Sequence, residues 1–337
     1  MVKPVSDQVV VIAGASSGIG RAAALAFAAR GARVVCAARG RRALDSLVEE
    51  IDGAGGTATA VVADVTDPAA MRALADAAEQ RFGRVDTWVN AAAVSVYGRV
   101  EEITDEEFDR VLRVNVLGHV HGVRAALPAL RRAGGGVVIG ISSVEGVRAV
   151  PLHAPYTASK WALRGFYDCL RMELAQEGAP IAVTTILPAS IDTPFFEHAR
   201  SKLGAAPKPP PPVYAPELVA GAVVRAAEHP RREVPVGGSA IGFFVGQRLS
   251  PALTDALLSL RRTGVEAQRS DRPDDGVDNL FVPSTGPGAT TGDFGDHSKS
   301  TSVYTRVLAP HPALTRTAML AVVAAMAIGV RRGGSRT

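Results

Sequence analysis

Short apolar runs alternate with longer amphipathic stretches through roughly the first 240 residues of the chain. Residues 8–13, 33–38 and 57–63 are runs rich in Val, Ile and Ala. The first is followed by a glycine turn and an alanine-rich helical stretch at 21–30 that Gly31 ends, and the second by a helical pattern at 41–51. Further strand-like runs lie at 87–91, 136–142 and 181–187, with a short one at 233–236. Strands that are apolar at successive positions are buried on both faces. Strands of that kind separated by helices predict a parallel sheet covered on both sides, an α/β, doubly wound, Rossmann-like fold. Thr104 with Glu107 forms a capping-box pattern and marks a helix start.

The regularity ends near residue 240. This divides the chain into a main domain at 6–240, a helical extension at 241–262, a weakly structured tail at 263–312 rich in Gly, Ser, Thr, Asp and Pro, and an apolar C-terminal helix at 313–337 with a basic end. The proline run at 207–212 cannot be helical and predicts an extended loop or lid. Residues 317–330 are apolar and precede Arg331 and Arg332. Fourteen residues fall short of the roughly 20 needed to span a bilayer. An interfacial anchor, a packed helix and a short tail anchor all fit that pattern, so a membrane surface is a candidate partner there.

Composition narrows the class. With 337 residues and 47% hydrophobic content, the chain can bury one large core. Its formal charge of +4 comes from scattered arginines rather than a basic run interleaved with aromatics, which argues against nucleic-acid binding. Cys36 and Cys169 are too few for a disulfide scaffold and read as buried thiols in a reducing compartment. The N-terminus has no long apolar segment before the first strand, so a cytoplasmic location is expected. His119 and His121 lie two apart on a helix and face different ways, and no metal site is expected.

Candidate chemistry enters at two places. Gly14-Ala15-Ser16-Ser17-Gly18-Ile19-Gly20 follows the first strand and opens a helix, which aims backbone amides and a helix N-terminus at a pyrophosphate. Tyr156 and Lys160, in Tyr156-Thr157-Ala158-Ser159-Lys160, are four apart on one helix face. An ammonium there should pull the phenol below its ordinary value of about 10, toward a range useful for proton transfer.

The spacing of the glycine turn, with Ser143 upstream of Tyr156, resembles the compact branch of the short-chain dehydrogenase/reductase family over roughly residues 6–240. The resemblance implies a catalytic set of Asn115, Ser143, Tyr156 and Lys160. Ser143 would bond the substrate oxygen, Tyr156 would be the general acid/base, Lys160 would tune the phenol and bond the nicotinamide ribose, and Asn115 would hold a water. It implies a cofactor set of Gly14, Ser16, Ser17, Gly18, Ile19, Gly20, Asp64, Val65, Asn90, Pro188, Ile191 and Thr193, joined by Tyr156 and Lys160. Two positions depart from the family pattern, in Asn90-Ala91-Ala92-Ala93 and Pro188-Ala189, each with alanine in place of the family's residue.

At the end of the second strand Ala38 stands where a carboxylate would accept from the ribose of NAD. Arg39 follows, suited to the 2′-phosphate of NADP, so NADP(H) is favoured over NAD(H). Walls at 94–97, 144–155 and 188–198, rich in Val, Phe and Pro, fit an apolar carbonyl or alcohol. Glu145 within them is read as solvated. The expected activity is an NADP(H)-dependent carbonyl reductase or alcohol dehydrogenase, assembled as a homo-oligomer. The alternatives are a nucleotide-sugar epimerase or dehydratase and a non-catalytic NADP sensor.

Overall fold

The computed structural model describes residues 3–302, 304 and 305. Its frame is a seven-stranded parallel sheet built from β1 (Val9–Ala13), β2 (Arg33–Ala38), β3 (Thr57–Val62), β4 (Thr87–Asn90), β6 (Gly136–Ile141), β7 (Ile181–Pro188) and β10 (Glu233–Val236). The chain adds two-stranded pairings between β5 (Val96–Tyr97) and β8 (Arg200–Ser201), and between β9 (Val213–Tyr214) and β11 (Ser298–Lys299). The large sheet runs β10-β7-β6-β4-β1-β2-β3, so the winding reverses between β1 and β4. At such a reversal the crossover connections diverge and leave a crevice at the carboxyl ends of the strands.

Helices α1 (Gly18–Ala28), α2 (Arg41–Gly53) and α7 (Pro216–Glu228) cover one face. Helices α3 (Pro68–Phe82), α5 (Gly118–Arg132) and α6 (Ala154–Gln176) cover the other. β1 explains why its run lacks alternation, since all five residues are buried with layers on both sides. Phe27, Leu44, Leu47 and Val223 fill one layer, and Met71, Leu74, Trp88 and Leu130 the other. Each such side chain contributes roughly 1.5–3 kcal/mol by leaving water.

Helix α4 (Asp105–Leu112) starts with the reciprocal capping box expected at Thr104 and Glu107. A single π-helical turn, Arg113–Leu117, joins it to α5.

After β10 the chain forms α8 (Gly238–Leu249), which starts three residues before the expected extension at 241–262, and α9 (Pro251–Ser259). The described part of the tail, 263–302 with 304 and 305, carries short helical turns and the two-residue β11. It is nonetheless packed on the domain, with Leu280 wholly buried in the core on the α3, α5 and α6 face. The expected C-terminal helix at 313–337, including 317–330, lies outside the described residues. Among those described, no helix is long and apolar enough to cross a membrane. Cys36 is buried, its thiol pushed up to about 12 by burial, but Cys169 is exposed, contrary to expectation. Cys169 sits on α6, whose outer side is not covered along its whole length.

Candidate active site

One cavity of about 850 Å³ opens at the carboxyl ends of the strands, beside the β1–β4 reversal. The glycine turn, Arg39, Asp64, Val65, Ser143, Tyr156, Lys160, Pro188, Ile191 and Thr193 all line it. The turn needs its first glycine: Gly14 has φ +97°, and a Cβ there would collide with the backbone of Ala92. With Gly18, Ile19 and Gly20 at the cavity wall, the first turn of α1 brings the positive end of the helix dipole to the cavity, where the Gly18 amide donates to the Ala289 carbonyl at 2.8 Å. This arrangement suits a pyrophosphate, and the residues present fit a dinucleotide.

Beyond β6 stand Ser143 and, from the first turns of α6, Tyr156 and Lys160. The Lys160 ammonium donates to the Ile141 carbonyl at 3.0 Å and lies 5.2 Å from the centre of the Tyr156 ring. The expected downward pull on the phenol is not what this arrangement gives. Burial and the Glu145 carboxylate push Tyr156 above its ordinary value, and only the Ser143 hydroxyl opposes them. Burial also pushes Lys160 down to about 7, against the pull of Glu145. Desolvation disfavours both charged forms and outweighs the attraction between them.

Asn115 sits on the π-helical turn, a feature that often marks functional positions. Its amide oxygen accepts from Val94 N at 2.8 Å, and its nitrogen donates to Val94 O and Ser159 Oγ, each at 3.0 Å. Asn115 thus clamps the loop after β4 to α6 and does not line the cavity. Asn90 is likewise turned away. It accepts from Trp88 Nε1 at 2.9 Å and donates to Tyr167 Oη at 3.2 Å, inside a buried network that also holds His119 against Tyr167 at 2.8 Å. Burial lowers the His119 pKa to about 3, keeping the ring neutral. His121 bonds the Val65 carbonyl, and no metal-binding cluster occurs among the described residues.

Glu145 corrects the expectation of a solvated side chain. It receives His153 Nδ1 at 3.0 Å and Thr157 Oγ1 at 2.8 Å. A carboxylate can only accept, so Nδ1 carries the proton, and Nε2 meets Ser95 Oγ. The His153 ring is stacked between Tyr97, at 4.0 Å between centroids, and Tyr156, at 4.4 Å, with Phe195 beyond. Sequence reasoning passed over His153. Its place three residues before Tyr156, in Val150-Pro151-Leu152-His153, was the available signal.

The extension and tail supply walls that the sequence did not assign to the site. Phe243, Leu258, Arg262 and Gln268 close the cavity beyond Pro151, and Gln268 Nε2 donates to the Pro151 carbonyl at 3.0 Å. Asn279, Pro283, Ser284 and Gly288 border its other end, near Arg39. Arg39 is bonded to the Asn279 and Phe281 carbonyls at 2.5 and 3.1 Å. Burial and the nearby Arg110 hold its pKa below the usual guanidinium range. Asp64 stays below the usual carboxylate range because Thr66, Arg110 and Arg39 together outweigh the effect of burial.

Residues 8–204 match the family model for short chain dehydrogenase, and the chain belongs to that family. Over 273 residues it is 41% identical to the Bacillus subtilis protein named uncharacterized oxidoreductase YxnA, covering 80% of this chain and 76% of that one. It is 38% identical over 190 residues to versicolorin reductase stcU of Emericella nidulans, covering 56% and 71% of the two chains. Among solved structures it resembles a short chain dehydrogenase/reductase from Burkholderia phymatum in complex with NAD. The TM-score is 0.66 at 27% identity, over 75% of this chain and 95% of that one. An alcohol dehydrogenase from Thermococcus sibiricus complexed with 5-hydroxy-NADP gives a TM-score of 0.59 at 27% identity, over 68% and 95%. The protein is therefore an oxidoreductase whose fold carries a nicotinamide-cofactor site.

Proposed function

We propose that the protein is an NADP(H)-dependent carbonyl reductase or alcohol dehydrogenase acting on an apolar substrate, with Tyr156 as the proton-transfer group. The observation that carries this reading is the convergence of Ser143, Tyr156 and Lys160 on the cavity that also holds the glycine turn and Arg39. When bound, the nicotinamide supplies or accepts the hydride. In reduction, Tyr156 gives its phenolic proton to the substrate oxygen while the Ser143 hydroxyl donates a hydrogen bond to the same atom. The raised phenol pKa keeps Tyr156 protonated at neutral pH, the form that reduction consumes. Lys160, with its pKa near 7, is placed to exchange a proton as the phenolate forms. The role of Asn115 in this reading is to hold the Val94 loop against α6, one shell away from the reacting atoms.

NADP preference rests on Arg39 following Ala38 with no carboxylate at the end of β2. Substrate polarity rests on walls made by Val94, Val144, Phe195 and Phe243. A homo-oligomer is supported by Leu117, Trp161 and Met172, large apolar side chains 44%, 45% and 65% exposed on or beside α5 and α6. The deciding experiment is consumption of NADPH and of NADH against a panel of aldehydes and ketones. Turnover with NADPH that is lost in Tyr156→Phe supports the reading, and turnover that survives in Tyr156→Phe removes Tyr156 from the chemistry.

A further inference from the structure

We propose that residues 279–289, far beyond the last strand of the sheet, form the outer wall of the dinucleotide site and close over the bound cofactor. The proposal rests on the nicotinamide-cofactor reading. The segment crosses the mouth of the crevice from the α4 side to the N-terminus of α1. It is tied down near both of its ends through its own main chain. Asn279 N donates to His198 O at 3.0 Å, Arg110 Nε donates to Leu280 O at 2.9 Å, and Arg39 donates to the carbonyls on either side of Leu280. Farther on, Arg21 reaches the Pro287 carbonyl at 3.4 Å, and the first amide of α1, Gly18 N, donates to Ala289 O at 2.8 Å. Just past the segment, the buried Asp192 accepts from Gly292 N and Phe294 N at 3.1 and 3.2 Å.

These ties do not fill the crevice. A cavity of about 850 Å³ remains beneath them, in the range of ligand pockets, and it is bordered by the glycine turn on one side and Pro283, Ser284 and Gly288 on the other. The segment therefore spans the site, and the Gly18 amide and Arg39 guanidinium that it holds are donors a bound dinucleotide shares with it. A dinucleotide extended along the glycine turn would lie beneath a strap fixed at both ends, and could neither enter nor leave until the strap lifts. Two arginines that the domain places at this end spend part of their donor capacity on strap carbonyls, which fixes the direction of the Arg39 guanidinium at the cavity wall.

Gly288 gives a way to lift the strap with no substitution in the domain itself. Its φ is +79°, and a Cβ would collide with the Ser16 carbonyl and press on Ala43. Valine at 288 cannot keep that seat.

The test uses the full-length chain. Hydrogen exchange of the 279–289 amides is followed in the wild type with and without NADPH. Binding and dissociation of NADPH are followed by nicotinamide fluorescence in the wild type and Gly288→Val. The wall predicts slower exchange across 279–289 when NADPH is bound, and at least tenfold faster NADPH dissociation from Gly288→Val. Exchange that speeds up on adding NADPH would mean that the cofactor displaces the segment, overturning the proposal. So would unchanged dissociation from a folded Gly288→Val whose 279–289 amides already exchange fast. The wild-type exchange result stands even if the variant fails to fold. A wild type that binds neither NADPH nor NADH fails the cofactor reading itself, and the wall with it.

Discussion

The imidazole of His153 lies against the phenol of Tyr156 with the ring planes 11° from parallel. That contact holds the proposed proton-transfer group from the side, while Glu145 and Ser95 fix the imidazole from its two nitrogens. Replacing His153 with alanine frees the phenol to tilt and leaves the Glu145 carboxylate without its ring donor. A displacement of about 1 Å at a reacting group costs on the order of 10²-fold in rate. His153→Ala is expected to lower kcat by about 10–100-fold with a much smaller change in KM, measured with the best substrate of the NADPH screen. A change confined to KM would show that the ring serves substrate binding instead.

Glu145 raises the pKa of the phenol through its charge. Removing that charge while keeping the shape, in Glu145→Gln, should therefore lower the phenol pKa. Reduction needs the protonated phenol, so the basic limb of the kcat profile should move to lower pH. The profile is read in wild type and variant up to the highest pH at which both stay folded, and a basic limb that appears no earlier in the variant removes Glu145 from the control of Tyr156.

Tyr156→Phe keeps the ring and its stacking on His153 but deletes the proton. General acid catalysis of this kind contributes roughly 10²–10⁴-fold. A fall in kcat of that size is expected, with NADPH affinity within about twofold of wild type as measured by fluorescence titration.

In the proposed reading Arg39 is the side chain that distinguishes the two nicotinamide nucleotides. A hydrogen bond to a charged group contributes about 1.5–3 kcal/mol, so Arg39→Ala should weaken NADPH binding by roughly 10–100-fold. Because Arg39 also ties down the segment on either side of Leu280, NADH binding should weaken too, but less. Equal losses for both nucleotides would mean that the side chain acts only on that segment.

Lys160 leaves a thermodynamic signature. In the fold its pKa falls to about 7, while an unfolded lysine titrates near 10.5. Between these values the unfolded chain binds the extra proton, so stability contributed at this site rises as pH rises from about 7 to 10.5. Below pH 7 both states carry the charge and the full cost of burying it is felt. Lys160→Met should therefore gain stability over wild type at pH 7, with the difference shrinking by pH 10, as read by urea unfolding at the two pH values.

The sheet was legible in the sequence because strands buried on both faces must be continuously apolar, and β2 and β10 begin and end where their runs do. The glycine turn and the Tyr156–Lys160 spacing were legible because both are local. The side-chain surroundings of Asn90 and Glu145 were not legible because their partners, Tyr167 and His153, lie on α6 and the loop before it, and nothing in either residue's neighbourhood names them. The tail escaped for a different reason. Its hold on Arg39, Arg110 and Gly18 is made by main-chain carbonyls, which every residue possesses, so a Gly, Pro and Ser composition carries no trace of it.

The distance along the chain between Gly18 and Ala289, whose amide and carbonyl meet, has a consequence for the order in which the molecule is made. Synthesis from the N-terminus delivers β1 through β10, and with them the glycine turn and Tyr156, well before the ribosome has released the residues that cover the crevice. A newly made domain thus presents an uncovered crevice to the cell's nucleotides, and the cover arrives only afterwards.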